Sequence, residues 1–283
     1  EAGVMISQNR YIDILPAQDW SGKTQVTIQV SSPYGQTDAE SFYVTVEPFK
    51  VWQGNISNEW ENDLNWTPAG APNILDSVLI PYTSNQPILS TPAAVNKLII
   101  QPAASLNLGE HLISVENEVL NKGTLTQTLF VNPGTLSQFF HLTNLAGDQD
   151  LYAGIDILPA TPEASLEYTQ IDNLPVTVSI AGEQWCTMRF SGVLRCYDVQ
   201  TSQSFEAEMT FYFLEPEANE LPHESLVSYY LTNHWIENLG SYTSGIHSLG
   251  YYLKFSDGLL PGAFALDQSG RPTYATMLPI IMK

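Results

Sequence analysis

The chain has 283 residues, of which 43% are hydrophobic and only 14% charged, against about a quarter charged in an ordinary soluble domain. Thirty acidic side chains face ten basic ones, a formal net charge of −20, which makes nucleic acid and anionic membrane poor partners because both are bound through clustered Lys and Arg. There is no transmembrane run, and a start at Glu1 without a signal peptide reads as a trimmed piece of a longer protein. Thr, Ser, Asn and Gln fill the surface in place of charge, as in extracellular or cell-surface β-proteins. Calcium or a saline medium would relieve the acidic self-repulsion.

Residues 1–49 read as strands. Val26, Ile28 and Val30 alternate with Thr27 and Gln29, and Phe42, Val44 and Val46 alternate with Tyr43 and Thr45. A period of two marks half-buried antiparallel strands. Ser32-Pro33-Tyr34-Gly35 is the expected loop between them. The run from Ile14 through Trp20 to Gly22, with the Phe-x-Val-x-Val ending, resembles the C-terminal half of a cadherin-like or immunoglobulin-like repeat. Such a repeat needs about seven strands, so this one is cut short or borrows strands from elsewhere.

Residues 50–146 open on three of the chain's six tryptophans, Trp52, Trp60 and Trp66. Turn-forming residues separate them, too many Gly and Pro for a helix. We read them as an aromatic cap over one end of a β-structure. The plainer alternative is three core tryptophans in a loop-rich region. Short apolar strands follow at Val78-Leu79-Ile80, Leu98-Ile99-Ile100 and Val119-Leu120. A spacing of about 20 residues suits one turn of a short right-handed parallel β-solenoid, whose turns must stack to bury a face. A sandwich with irregular loops is the alternative.

Residues 147–283 carry longer, antiparallel-looking strands broken by proline and acidic loops. Expected strands include 166–169, 176–181, 185–190, 193–199, 204–214, 226–231, 235–236 and 251–255. They suggest an antiparallel β-sandwich, jelly-roll-like. The fold class is all-β throughout. Cys186 and Cys196 are the two cysteines. A three-residue hairpin loop would set them opposite for a disulfide, and a two-residue turn would forbid it.

The pattern W-x-G-x-x-S-x-x-W-x-x-x-x-N-W-x-x-x-x-x-P-x-x-x-D-x-V-x-I-P, carried here by Trp52, Gly54, Ser57, Trp60, Asn65, Trp66, Pro72, Asp76, Val78, Ile80 and Pro81, resembles the start of β-solenoid segments in large secreted surface proteins of the Bacteroidetes. Two later stretches, 193–213 and 220–257, resemble a module of the same proteins. The resemblance implies an adhesin-like architecture and a surface location, and no reaction. It implies neighbouring modules of the parent chain, secretion or outer-membrane machinery, or surface glycans as partners. No type IX sorting domain is recognisable.

Chemistry is scarce. No HExxH, P-loop or dinucleotide fingerprint is present, and the five histidines read as surface residues. Residues 245–250 only graze the nucleophile-elbow pattern at Ser248. The expected protein is therefore not an enzyme. Asp148 and Asp150 are the best metal ligands, two carboxylates at i and i+2 in a loop, with calcium as the one cofactor they suggest and Asp156 as a possible third. Trp235 and Tyr230 head a set of aromatic residues suited to stacking on sugar, the basis of an alternative as a carbohydrate-binding module. Asp76-Ser77-Val78 resembles a short O-glycosylation acceptor.

Overall fold

A computed structural model describes residues 3–7, 11–15, 22–46, 48–161, 172–182, 192–231, 235–237 and 241–268. Among them the regular structure is all β, apart from three short 3-10 turns. No helix of the described residues is long and apolar enough to cross a membrane. The chain divides into two units, Glu1–Phe49 and Lys50–Lys283.

The first unit holds two antiparallel pairs. β1 (Gly3–Ser7) pairs with β2 (Tyr11–Leu15), and β3 (Gly22–Ser31) with β4 (Thr37–Val46). The β3–β4 loop closes as Ser32 donates to Gln36 O at 2.8 Å and Gly35 donates to Ser32 O at 3.0 Å. Gly35 sits there at φ +80°, a conformation that suits glycine. The register sets Val26 opposite Phe42 and Thr24 opposite Val44, so the expected apolar face exists. None of residues 22–45 is buried, however, and Val30 is 63% exposed.

The first strands of the second unit are joined mostly in parallel, apart from an antiparallel pair at the start. These are β5 (Phe49–Trp52), β6 (Trp66–Thr67), β7 (Ser77–Ile80), β8 (Ala93–Ile100), β9 (Ser105–Asn107), β10 (Ile113–Asn121) and β11 (Thr124–Val131). β7, β8 and β10 form one parallel ladder, with Val78, Leu98 and Val119 in register and Ile80, Ile100 and Asn121 in register. β9 and β11 form a second, with Leu106 against Leu125, and single bridges from Glu59 to Ile88 and from Ile88 to Asn107 extend it backward. The aligned Val78, Leu98, Ile80, Ile100, Leu106 and Leu125 are all fully buried. The ladders together bury apolar side chains that no one strand could bury alone.

The three tryptophans lie at the start of this stack. β5 is hydrogen-bonded next to β7 and pairs with β6. Trp66 is flanked edge-on by Trp52 and Trp60, with ring centroids 5.0 and 4.8 Å away, the edge-to-face contact that aromatic quadrupoles favour. All three rings are buried, and two polar edges are used: Trp52 Nε1 donates to Asn85 O and Trp66 Nε1 to Trp60 O, both at 2.7 Å. Asn65, fully buried, ties the loop together. Its Oδ1 accepts from the amides of Ile56 and Ser57, and its Nδ2 donates to Ser57 Oγ and Glu59 O. Gly54 has φ +58°, and a Cβ there would come within 2.4 Å of Asn85 O.

Glu61 joins the cap to a later turn, where Oε1 accepts from the amides of Ser90 and Thr91 at 2.8 and 2.9 Å. Burial alone would raise the pKa of this carboxyl. Those hydrogen bonds outweigh it and hold the group below its ordinary value.

The chain then enters antiparallel pairing. The remaining strands are β12 (Ser137–Phe139), β13 (Leu142–Thr143), β14 (Asp150–Tyr152), β15 (Ile155–Pro159), β16 (Leu174–Ala181), β17 (Cys196–Thr201), β18 (Phe205–Leu214), β19 (Leu226–Leu231), β20 (Trp235–Glu237), β21 (Tyr242–His247), β22 (Gly250–Leu260) and β23 (Gly262–Gln268). One sheet runs β20-β19-β23-β17-β16-β11-β9 and another runs β12-β15-β18-β22-β21. Tyr197 and Phe264 of the first meet Phe211 of the second, with centroids 4.9 and 5.6 Å apart. β11 belongs to both regimes, parallel to β9 and antiparallel to β16. Residues on both sides of the expected 146/147 boundary therefore share one sheet.

Several strand expectations meet partners. The stretch at 204–214 is β18, and that at 226–231 is β19. The stretches at 166–169 and 185–190 lie outside the described residues. β23 lies beyond the last strand expected from the sequence. Cys196 sits between Ala181 and Ala265 in the sheet, so neither in-register neighbour is the one the hairpin reading gave it. Cys196 is nonetheless disulfide-bonded, and Cys186, the chain's other cysteine, lies outside the described residues.

Two predictions follow from the cap. Asn65→Asp keeps the side chain's shape but turns the donor aimed at the Glu59 carbonyl into an acceptor, and it buries a charge. Chemical denaturation should show a loss of about 2–3 kcal/mol, well above that of Asn62→Asp, which keeps its acceptor for Leu64 N on an exposed turn. A carboxylate with a depressed folded pKa stabilises the fold above its unfolded pKa and loses that contribution as pH falls through the folded value. Between about pH 5 and pH 3 the urea midpoint of the wild type should therefore fall more steeply than that of Glu61→Gln.

Candidate functional site

The loop singled out for a metal joins β13 to β14. Asn144 closes it, its Oδ1 accepting from the amides of Asp148 at 2.7 Å and Gln149 at 3.3 Å. Gly147 turns the chain at φ +74°. Asp148 is exposed. Asp150 is turned toward the β21–β22 connection, where its Oδ2 lies 3.4 Å from Ser248 Oγ and 3.8 Å from His247 Nε2. Among the described residues no group of three or more His, Cys, Asp or Glu side chains is placed to hold a metal ion. Asp156 lies one strand further on and is committed elsewhere.

That commitment builds the most connected polar cluster of the outward sheet face. Asp156 Oδ1 takes His141 Nε2 at 2.8 Å, and Oδ2 takes the Tyr212 hydroxyl at 3.0 Å. His141 and His247 both stand edge-on to the Tyr212 ring, at 5.3 and 4.9 Å. Burial raises the Tyr212 pKa, and the neighbouring Asp156 charge raises it further, so its hydroxyl stays a donor. Four elements meet here: the β13–β14 hairpin with its approach, β15, β18 and the β21–β22 turn. The alternation of Glu206, Glu208, Thr210 and Tyr212 along β18 put Tyr212 on the polar face. Nothing in the sequence put His141 and His247 beside it.

The Tyr212 backbone is anchored from the other side. Arg195 is fully buried, and its Nη1 donates to Ala153 O at 2.5 Å and Tyr212 O at 2.8 Å. Its Nη2 lies 2.8 Å from Glu217 Oε2, and the guanidinium sits 4.0 Å over the Tyr152 ring. The Tyr197 hydroxyl also donates to Tyr212 O, at 2.5 Å. Burial would lower the Arg195 pKa, but Glu217 and the two tyrosines raise it, so the charge is kept. Burial pushes the Tyr152 phenol up to about 12 against the opposing pull of Arg195.

The remaining candidates fall out differently. Ser248 Oγ is 3.4 Å from His247 Nδ1, without the short bond that activates a nucleophile. Tyr230 lies on β19 opposite Ile236 and Phe264, and Trp235 lies on β20 opposite Leu231; the side chains of both are outside the described residues. His223 stacks on Tyr251 at 4.8 Å. Ser77 is 3% exposed, and its Oγ is met by Asn96 Nδ2 at 3.5 Å, so the hydroxyl of the O-glycosylation-like triplet faces protein and not solvent.

A family model described as a domain of unknown function (DUF8693) matches residues 51–145, about a third of the chain. The matched stretch starts beside Trp52 and ends in the loop that Asn144 closes. No curated protein and no solved structure matches the chain.

Removing one partner of a buried ion pair strands the other charge. Glu217→Ala should cost about 3–5 kcal/mol in urea unfolding, and the double change Arg195→Met with Glu217→Leu should recover most of that.

Proposed function

We propose that this chain is a non-catalytic, extracellular segment of a large modular bacterial surface protein of the Bacteroidetes type, which extends, displays or adheres. In this reading the first unit is part of a cadherin-like or immunoglobulin-like repeat. Residues from the tryptophan cap through β11 are a short right-handed parallel β-solenoid, and the later strands are an antiparallel sandwich. The observation that carries the reading is the double role of β11, parallel to β9 on one edge and antiparallel to β16 on the other. Such a strand fuses coil and sheet into one stiff body whose backbone bonds are internally satisfied. Support also comes from the net charge of −20, which keeps a protein soluble outside the cell. Its partners are the flanking modules of the parent chain, with secretion or outer-membrane machinery.

A second reading, a carbohydrate-binding module tied to a glycan-degrading enzyme, is favoured by the Tyr212-centred polar and aromatic face. The two readings share a location and differ in ligand. Antibodies against residues 50–283 should label intact, unpermeabilised cells of a producing bacterium, and deletion of the segment should reduce attachment without loss of any glycan-hydrolysing activity. Labelling that appears only after permeabilisation overturns the surface assignment.

A further inference from the structure

We propose that the outward face of the sheet β12-β15-β18-β22-β21 binds a neutral saccharide, with Tyr252 as the ring on which the sugar lies. This rests on the carbohydrate-binding reading and gives it a place; the spacer reading stands without it. Tyr252 lies opposite Gly245 of β21 on one side and Tyr212 of β18 on the other. A Cβ on Gly245 would come within 2.7 Å of Tyr252 Cε1 and its hydroxyl oxygen, and 2.8 Å of Cζ. The ring therefore lies across the glycine instead of standing clear of the sheet. β21 supports it from below, and it is partly exposed. The Tyr212 ring continues the shelf, with centroids 6.4 Å apart and planes tilted by 51°.

A pyranose has an apolar C–H face and a rim of hydroxyls. It needs a supported ring beneath and carboxylates, imidazoles and hydroxyls at the edge. Those groups border the shelf. Asp150, His247 and exposed Ser248 lie at one end, within 3.4–3.8 Å of one another. The ion pair of Lys254 with Glu208, at 2.7 Å, lies beside it one step along β22, and Thr243 is opposite Lys254. The shelf is fixed before any ligand arrives, because Tyr212 is held by Asp156 and Asp156 by His141. Asp150, Asp156 and Glu208 on this face disfavour uronate, sulfate and phosphate, which leaves a neutral sugar.

A tyrosine laid over an edge-strand glycine also protects a sheet with no ligand at all, and the test separates the two roles. The full 283-residue chain is screened on an array of neutral oligosaccharides and choline, and hits are titrated by calorimetry. Saturable binding of a neutral glycan is expected, weakened about tenfold or more by Tyr252→Ala and by Ser248→Trp, and changed by less than about threefold by Tyr252→Phe. Ser248→Trp fills the rim from an exposed position, so it remains informative if Tyr252→Ala fails to fold. If the wild type binds no neutral glycan, or binds choline alone, both the site and the carbohydrate reading fall. If the wild type binds and folded Tyr252→Ala and Ser248→Trp bind equally well, the site falls and the reading survives elsewhere on the chain.

Discussion

β11 meets β9 in parallel register on one edge and β16 in antiparallel register on the other. Parallel strands need a crossover between them, so the chain must travel about a dozen residues or more before it returns to its ladder. Antiparallel strands return at once. One strand serving both joins the parallel ladders to the antiparallel sheet with no break in hydrogen bonding. The side chains follow the change. Ile80 and Ile100 stack as aliphatic neighbours, and the next position in their column is Asn121, whose amide donates to Tyr152 and to Ile180 O and whose carbonyl accepts from Gly123 N. On the other face of β11 hydroxyls pair across the antiparallel register, Thr126 with Ser179 and Thr128 with Thr177, each at 2.9 Å.

At the other end of the parallel strands three indole rings are buried, bringing large apolar faces and one polar edge each. Their packing leaves backbone donors of the surrounding loops inside the protein, and these must be met. Asn65 meets two such donors, the amides of Ile56 and Ser57, and itself donates to Ser57 Oγ and the Glu59 carbonyl. Lys50 closes another gap from outside, donating to the carbonyls of Pro68, Ala69 and Gly70 at 3.0–3.1 Å. The cap is therefore a polar network wrapped around three rings.

Far from the cap, the Arg195 network and the Asp156 cluster grip the same residue from opposite faces of one sheet. Arg195 and Tyr197 hold the Tyr212 carbonyl, and Asp156 holds its hydroxyl. A buried charge is weak evidence for stability in itself. Here it joins the 3-10 turn at Glu215–Ala218 to the end of β14 and to β18. The outward aromatic face stands on that junction, so the position of Tyr212 in it is tied to an interior ion pair.

The all-β class was legible in the alternation of β3, β4 and β18, where a period of two leaves a helix no consistent apolar face. The tryptophan-rich stretch stood out in the sequence as a dense local pattern, and Asn65 and Trp66 act through near neighbours, but Trp52 Nε1 reaches Asn85, 33 residues on. Val78, Leu98 and Val119, whose even spacing the sequence displays, stand in parallel register. What lay beyond the sequence depended on distant partners. β23 has Phe264, Ala265 and Leu266 all buried and shows no alternation; it is a strand because β17 and β19 flank it on both edges. Cys196 took Ala181 and Ala265 as sheet neighbours by the same rule. His141, Asp156, Tyr212 and His247 are spread along the chain, and only the pairing of β15, β18, β21 and β22 sets them on one face. Local chemistry decides which strands and turns a chain can form. Which of their side chains become neighbours is decided by sheet register, and register is fixed by contacts that no short window of sequence contains.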